Sequence, residues 1–236
     1  MTYVFIAQRK DAGPDIMWGA DGARILTAEE GWCWFFGAVD HLNGEVVGHH
    51  VCKRGDRFAA LEPVAQGLLR HCGSLEADAG RSLRLRMDHG AQHVSDHFRN
   101  QVRFWGVQAS YSFIEQPQTN GIAERFMRTL KEQVVHGRIF RTVEEVRAAV
   151  DAFVALYNEQ WLLEKNGFLS PSAARDAWRQ REALETAAQV RFVSSYPGAL
   201  QTNRCPQEPL PPDGTRPSDS TQPLGEPALR CGSGRH

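Results

Sequence analysis

The sequence predicts an α/β domain in which a mixed sheet carries helices on its faces. Three apolar runs of strand length lie near the start of the chain and are the first sign of it. After them, segments of helical period alternate with short strand-like stretches, the pattern of a layered α/β unit. The third sign is a change of composition: eight of the twelve prolines fall between Pro197 and Pro227, amid Gly, Ser, Thr and Gln. That segment cannot bury enough apolar surface to offset its ordering entropy. Residues 197–236 are therefore expected to be a disordered C-terminal tail. The rest divides into a short lead (1–14), a core (15–180) and an extension (181–196).

The elements follow in order. "DIMWGADGARIL" (Asp15 to Leu26) and "GWCWFFGAVD" (Gly31 to Asp40) read as paired antiparallel strands, and a turn signal at Asn43-Gly44 leads to a third, "GEVVGHHV" (Gly44 to Val51). "RFAALEPVAQGLLRHC" places Phe58, Leu61, Val64, Ala65, Leu68 and Leu69 at helical spacing, with Pro63 interrupting its early part. "SLRLRMD" alternates as a strand and ends at Asp88. "SDHFRNQVRFWG" is a short helix, capped by Ser or Asp, apolar at Phe98, Val102 and Trp105, and stopped by Gly106. "VQASYSF" is a strand, and two helices follow, about 120–136 and 143–158. Trp18, Trp32, Trp34 and Trp105 are assigned to packing, because aromatics in apolar strands and on helix faces are usually core.

Composition excludes several classes of protein. No apolar run is long enough to span a membrane and the start lacks a signal-peptide pattern, so a cytoplasmic protein is expected. Five scattered cysteines with no CxxC pair argue against a disulfide framework or a thiolate zinc site. The overall charge of −1 gives no support to a polyanionic partner, but residues 81–140 carry nine Arg or Lys against five Asp or Glu. A nucleic acid, if one is bound, is expected at this half of the chain.

Three acids draw attention there and on the first strand. Asp88 closes a strand just before His89-Gly90, a position where open α/β sheets bind ligands, although a simple Asp-Gly turn also accounts for it. Asp21 sits inside a strand, where Asp is disfavoured unless something requires it, and again a turn is the alternative. Glu124 belongs to a helix whose apolar stripe is Ala123, Phe126, Leu130 and Val134. It lines up with Arg128 and Lys131 on the neighbouring stripe, either as a solvated i,i+4 pair or as a carboxylate beside phosphate-binding cations. Convergent carboxylates suit divalent metals, and phosphodiester chemistry uses two such ions about 4 Å apart.

With these motifs the chain resembles the catalytic core of bacterial insertion-sequence transposases, the branch similar to retroviral integrases. "MWGADGAR", "LRMDHGAQHVSDHF" and "PQTNGIAERFMRTLKEQ" match the segments carrying that family's three acids, and "YNEQW" and "FLSPSAARDAW" look like the end of such cores. Thirty-five residues separate Asp88 from Glu124, a spacing typical of the branch. The resemblance implies a ribonuclease H-like fold and a DDE triad of Asp21, Asp88 and Glu124. It also implies two Mg²⁺ or Mn²⁺ ions held by those acids, and metal-dependent cleavage and strand transfer of DNA. Asn120, Arg128 and Lys131 would position the DNA end, and the chain would act as a homo-oligomer. The first acid comes only twenty residues after Met1, so a separate DNA-binding protein from an upstream reading frame is expected to assist, unless the chain is a fragment. Tyr157 and Asn158 are read as structural.

Three other readings compete. A truncated relic would bind DNA without cutting it, and a ribonuclease H-like nuclease would cut without joining. His89, His93 and His97, at i, i+4 and i+8, would share a face and could hold zinc if their segment were helical throughout, which Gly90 and Ser95 oppose.

Overall fold

The computed structural model describes residues 13–88, 90–111 and 120–194. The proline-rich tail and nearly all of the N-terminal lead lie outside the described residues. The ordered elements are β1 (Met17–Thr27), β2 (Gly31–Asp40), β3 (Val46–Cys52), α1 (Glu62–Cys72), β4 (Arg84–Met87), α2 (Asp96–Phe104), β5 (Gln108–Tyr111), α3 (Gly121–Leu130), α4 (Val143–Gln160) and α5 (Pro171–Ser194). Among the described residues no helix is long and apolar enough to cross a membrane.

The five strands form one mixed sheet in the order β3-β2-β1-β4-β5. β1 to β3 make an antiparallel meander, whereas β4 and β5 run parallel to β1. Alternation along β1 divides the core. Trp18 and Ala20 face a cluster built with α1 and α2, around Leu68, Phe98 and Val102, while Ala23 and Ile25 face a second cluster built with α3 and α4, around Phe126, Leu130 and Val150. The sheet is the middle of three layers.

α1 begins later than its apolar spacing suggests, at Glu62 and not near Arg57. Pro63 falls in the first turn, where its missing N–H costs nothing. The preceding residues form turns fixed by Asp56, whose Oδ1 accepts from the Phe58 and Ala59 N–H groups at 3.0 Å each. α1 then lies directly on β3: a Cβ on Gly48 would stand 2.0 Å from the Pro63 carbonyl oxygen, so only glycine permits this approach.

β3 is an edge strand, and side chains occupy several of its backbone groups. Asn158 Oδ1 accepts from Val46 N at 2.9 Å and its Nδ2 donates to Val46 O at 3.0 Å. Gln66 accepts from His49 N at 3.0 Å, and Arg147 donates to Val51 O at 3.2 Å. Tyr157, beside Asn158, is buried edge-on to Phe126 with ring centroids 5.1 Å apart. Burial pushes its hydroxyl up to about 12. These contacts give both residues structural work.

A buried ionic cluster ties five segments together. Arg175, on α5, has a side chain only 4% exposed and reaches three carboxylates. Its Nη1 donates to Asp15 at 2.5 Å and its Nη2 to Asp40 at 3.5 Å, while its Nε donates to Glu45. Asp15 N donates to Asp40 at 2.7 Å, and Trp18 Nε1 to Asp15 at 3.2 Å. His71, at the end of α1, lies 3.9 Å from Glu45 and 4.0 Å from Asp15. Burial raises the Asp40 carboxyl and lowers the His71 imidazole, so the guanidinium carries most of the compensation. Arg175→Ala strands buried Asp40 and Glu45 and half-buried Asp15, and is expected to cost about 3 to 5 kcal/mol in urea unfolding. Arg175→Lys, which keeps the charge but loses the planar fork, is expected to recover only part of that.

Candidate active site

Asp21 lies in β1, opposite Gly37 of β2, with its neighbours Ala20 and Gly22 on the other face of the strand. Its carboxylate is partly buried, and Oδ1 accepts from Gly22 N at 2.7 Å. Asp88 directly follows β4, which pairs in parallel with β1 as far as Gly19 with Arg86, and the same register carried two residues further brings Asp88 level with Asp21. The exposed Asp88 is held by Gly90 N at 3.0 Å and by His93 Nδ1 at 2.8 Å. His93 is itself 3% exposed, packs edge-on to Phe98 with centroids 5.2 Å apart, and accepts from the Tyr111 hydroxyl through its carbonyl at 3.2 Å. A fixed imidazole therefore orients an exposed carboxylate.

Glu124 is in the first turn of α3 and is exposed, as are Arg128 and Lys131. The i,i+4 pair of Glu124 with Arg128 does not form, and among the described residues Glu124 has no ion-pair partner. α3 continues into a π turn, Lys131–Val135, that starts at the second of the two cations. Its apolar stripe, with Met127 added, packs on the sheet as the spacing predicts.

The helix is brought to β1 by an unusually close contact. Asn120, 3% exposed, donates through Nδ2 to the carbonyl of Ala20 at 3.2 Å, next to Asp21. Gly19 makes room for it: a Cβ there would lie 2.6 Å from Asn120 Oδ1 and 2.9 Å from His41 Nε2. Among the described residues neither of those two buried atoms has a hydrogen-bond partner. Burial, aided by the nearby Arg86 and Lys165 charges, pushes the His41 imidazole down to about 4.

The three acids interact electrostatically. Burial raises the Asp21 carboxyl above its ordinary range; the Gly22 N–H opposes this, Asp88 adds to it, His93 opposes it and Glu124 adds to it. Asp21 thus senses both other acids as like charges, with His93 opposing them. The donors are all oxygen and the local charge is negative, which suits a hard divalent cation in kind and sign. Even so, among the described residues no three acid, histidine or cysteine side chains are drawn together closely enough to hold a metal.

The histidine trio does not assemble among the described residues. His93 sits in a turn against Asp88, whereas His97 is on α2 and packs at a tilt against Phe58, with centroids 4.5 Å apart and planes 54° from parallel. His89 and the loop of residues 112–119 lie outside the described residues. The contribution of His93 was missed in the sequence, where the visible signal was a histidine five residues after an acid at a strand end.

The chain is similar to known proteins in sequence and in fold. Residues 105–161 match the family model for the integrase core domain. The transposase for insertion sequence element IS629 from Shigella sonnei is 27% identical over 176 residues, covering 74% of this chain and 55% of that protein. The transposase for IS904 from Lactococcus lactis is 26% identical over 149 residues, covering 63% and 56%. In sequence this chain is similar to transposases of bacterial insertion sequences. The fold is likewise similar to the catalytic core domain of BIV integrase, with a TM-score of 0.50 at 19% identity, covering 73% of this chain and 99% of that one. The fold of this chain is therefore ribonuclease H-like. The chain spans about half the length of the curated relatives it matches.

His41 gives the site region a pH signature. Its folded value of about 4 lies below the ordinary 6.5, so between those values the unfolded chain binds more protons and stability falls as pH falls. Urea midpoints at pH 7, 5.5 and 4.5 are expected to drop more steeply in the wild type than in His41→Gln.

Proposed function

We propose that the chain is the catalytic core of a DDE-type transposase, cleaving DNA strands and joining a 3′-end to target DNA. The observation that carries this reading is the electrostatic meeting of Asp21 with Asp88 and Glu124, from a strand, a strand end and a helix, beside exposed Arg128 and Lys131. Asp21, Asp88 and Glu124 would hold two Mg²⁺ or Mn²⁺ ions. Bound there, the ions would supply activation of a water or 3′-hydroxyl and stabilisation of the leaving oxygen. Likeness to transposases of bacterial insertion sequences supports the same chemistry.

The remaining roles belong to the chain itself. His93 fixes the rotamer of Asp88, and Asn120 anchors the start of α3 so that Glu124 stands over β1. Arg128 and Lys131 hold phosphates of the DNA end, and Asn120 sets the helix that presents them to it. Paired DNA ends call for more than one active core, and a homo-oligomer supplies them. One observation favours a second reading, a relic that binds DNA without cutting it: the three acids are not gathered into a closed metal cage among the described residues.

Purified chain with Mn²⁺ and a labelled duplex is expected to give both cut and joined products. Glu124→Gln is expected to lose both while binding duplex as before. Binding without any product from the wild type would favour the relic, and cutting without joining would favour a simple nuclease. The Arg128→Ala, Lys131→Ala double variant is expected to bind duplex more weakly and to reduce the log-log salt slope by about 2, one for each lost phosphate contact.

A further inference from the structure

We propose that the outer half of the β1–β2 face is a stacking platform for unpaired bases of a DNA strand. The inference rests on the reading of the chain as a DNA-processing core and adds a site to it. In register, Arg24 faces Trp34 and Leu26 faces Trp32. Toward the core, Trp34 stacks on buried Phe36, with centroids 5.7 Å apart and planes 5° from parallel. Away from it, Trp32 and Leu26 are 54% and 56% exposed. The Arg24 guanidinium lies over both indoles, 5.3 Å from the Trp32 centroid and 5.6 Å from that of Trp34. An aromatic ladder interleaved with arginine offers flat, polarisable surfaces to which any base can stack.

The surroundings carry the charge that a polyanion needs. Cys52 pairs with Trp34, so exposed Lys53 and Arg54 emerge beside the ladder, and a Cβ on Gly55 would lie 2.2 Å from the Trp34 ring. Arg57 lies over Phe58, itself 52% exposed, at 5.1 Å. Among the described residues none of Arg24, Lys53, Arg54 and Arg57 is in an ion pair. Nearby acids are engaged elsewhere: Glu29 holds Arg141 at 2.9 Å, Glu30 accepts from Val143 N, and Asp56 caps the turn after it. Charge complementarity thus favours a nucleic acid over a protein partner, whose interfaces are poor in lysine.

Position favours the same occupant. β1 pairs with β4 only as far as Gly19 with Arg86, so Arg24 and Leu26 run on past the end of β4 where Asp88 stands. Leu26 lies five residues beyond Asp21, about 17 Å at ~3.3 Å per residue. Gln92, in the turn after Asp88, donates to Gly55 O at 3.1 Å and so links the platform to the loop of the second acid. Arg24 and Leu26 share the face of Ala20 and Gly22, opposite to that of Asp21, so a strand leaving the acids would reach the platform around the outer end of β1.

The test is fluorescence anisotropy of the full chain with two probes, a short labelled single strand of mixed sequence and a labelled blunt duplex. Trp32→Ala is expected to weaken single-strand binding about 5- to 100-fold. It should leave duplex binding and melting temperature unchanged, and Trp32→Phe should retain most of the single-strand affinity. Lys53→Gln with Arg54→Gln should flatten the salt dependence for the single strand. Equal single-strand affinity in wild type and Trp32→Ala would overturn the platform, and with duplex binding and cleavage intact the proposed function would stand, leaving the patch to a protein partner. A wild-type chain that bound neither probe would overturn both.

Discussion

Everything near the acids depends on how closely α3 approaches β1. A helix whose stripe is made of large apolar residues ordinarily stays some 10 Å from a sheet, yet Gly19 removes a side chain at the point of contact and Asn120 donates its amide to the backbone of Ala20. One hydrogen bond therefore sets the height of the helix start above the strand that bears Asp21. Because Glu124 is one turn further on, a change in that height moves one acid relative to another. The contact also shuts His41 and Asn120 away from solvent with incomplete partners, so the precision of the junction is obtained at some cost in stability.

The Arg175 cluster performs a different task, at the chain reversals before β1 and after β2. Asp15 precedes β1, Asp40 ends β2, Glu45 precedes β3 and His71 closes α1, and a single guanidinium from α5 joins these chain reversals. Buried ions seldom add stability over a well-packed apolar alternative, but they penalise any arrangement that separates them. Here that penalty falls on every misplacement of the meander relative to α5. The acids of the candidate site are left outside this network, which preserves their negative potential for a cationic ligand.

Strands and helices were legible in the sequence wherever periodicity was strong. β2 and α4 appear close to their expected limits because each is a long run of consistent pattern, and the phase of α3 followed from Ala123, Phe126 and Leu130. The start of α1 was misjudged because Phe58 and Leu61 keep helical spacing in turns that Asp56 holds. Trp32 was assigned to packing, but the facing helices stop short of it; a strand's side-chain alternation says which face a residue joins, not how far the opposite layer extends. The acids at Asp21, Asp88 and Glu124 could be singled out locally. His93 behind Asp88 and the quartet around Arg175 could not, since they are brought together by contacts between residues distant in sequence or by a turn without a strong signature.

The occupied edge of β3 has a consequence for assembly. A bare edge strand invites a partner's strand to add on and continue the sheet, but Asn158, Gln66 and Arg147 already hold the backbone groups that such an addition would use. A second chain arriving there would have to displace three side chains, one of them buried, before gaining its first ladder bond. At these positions the edge is closed to backbone pairing, and any chain meeting it there would do so through side chains, which are specific to partner shape in a way that backbone pairing is not.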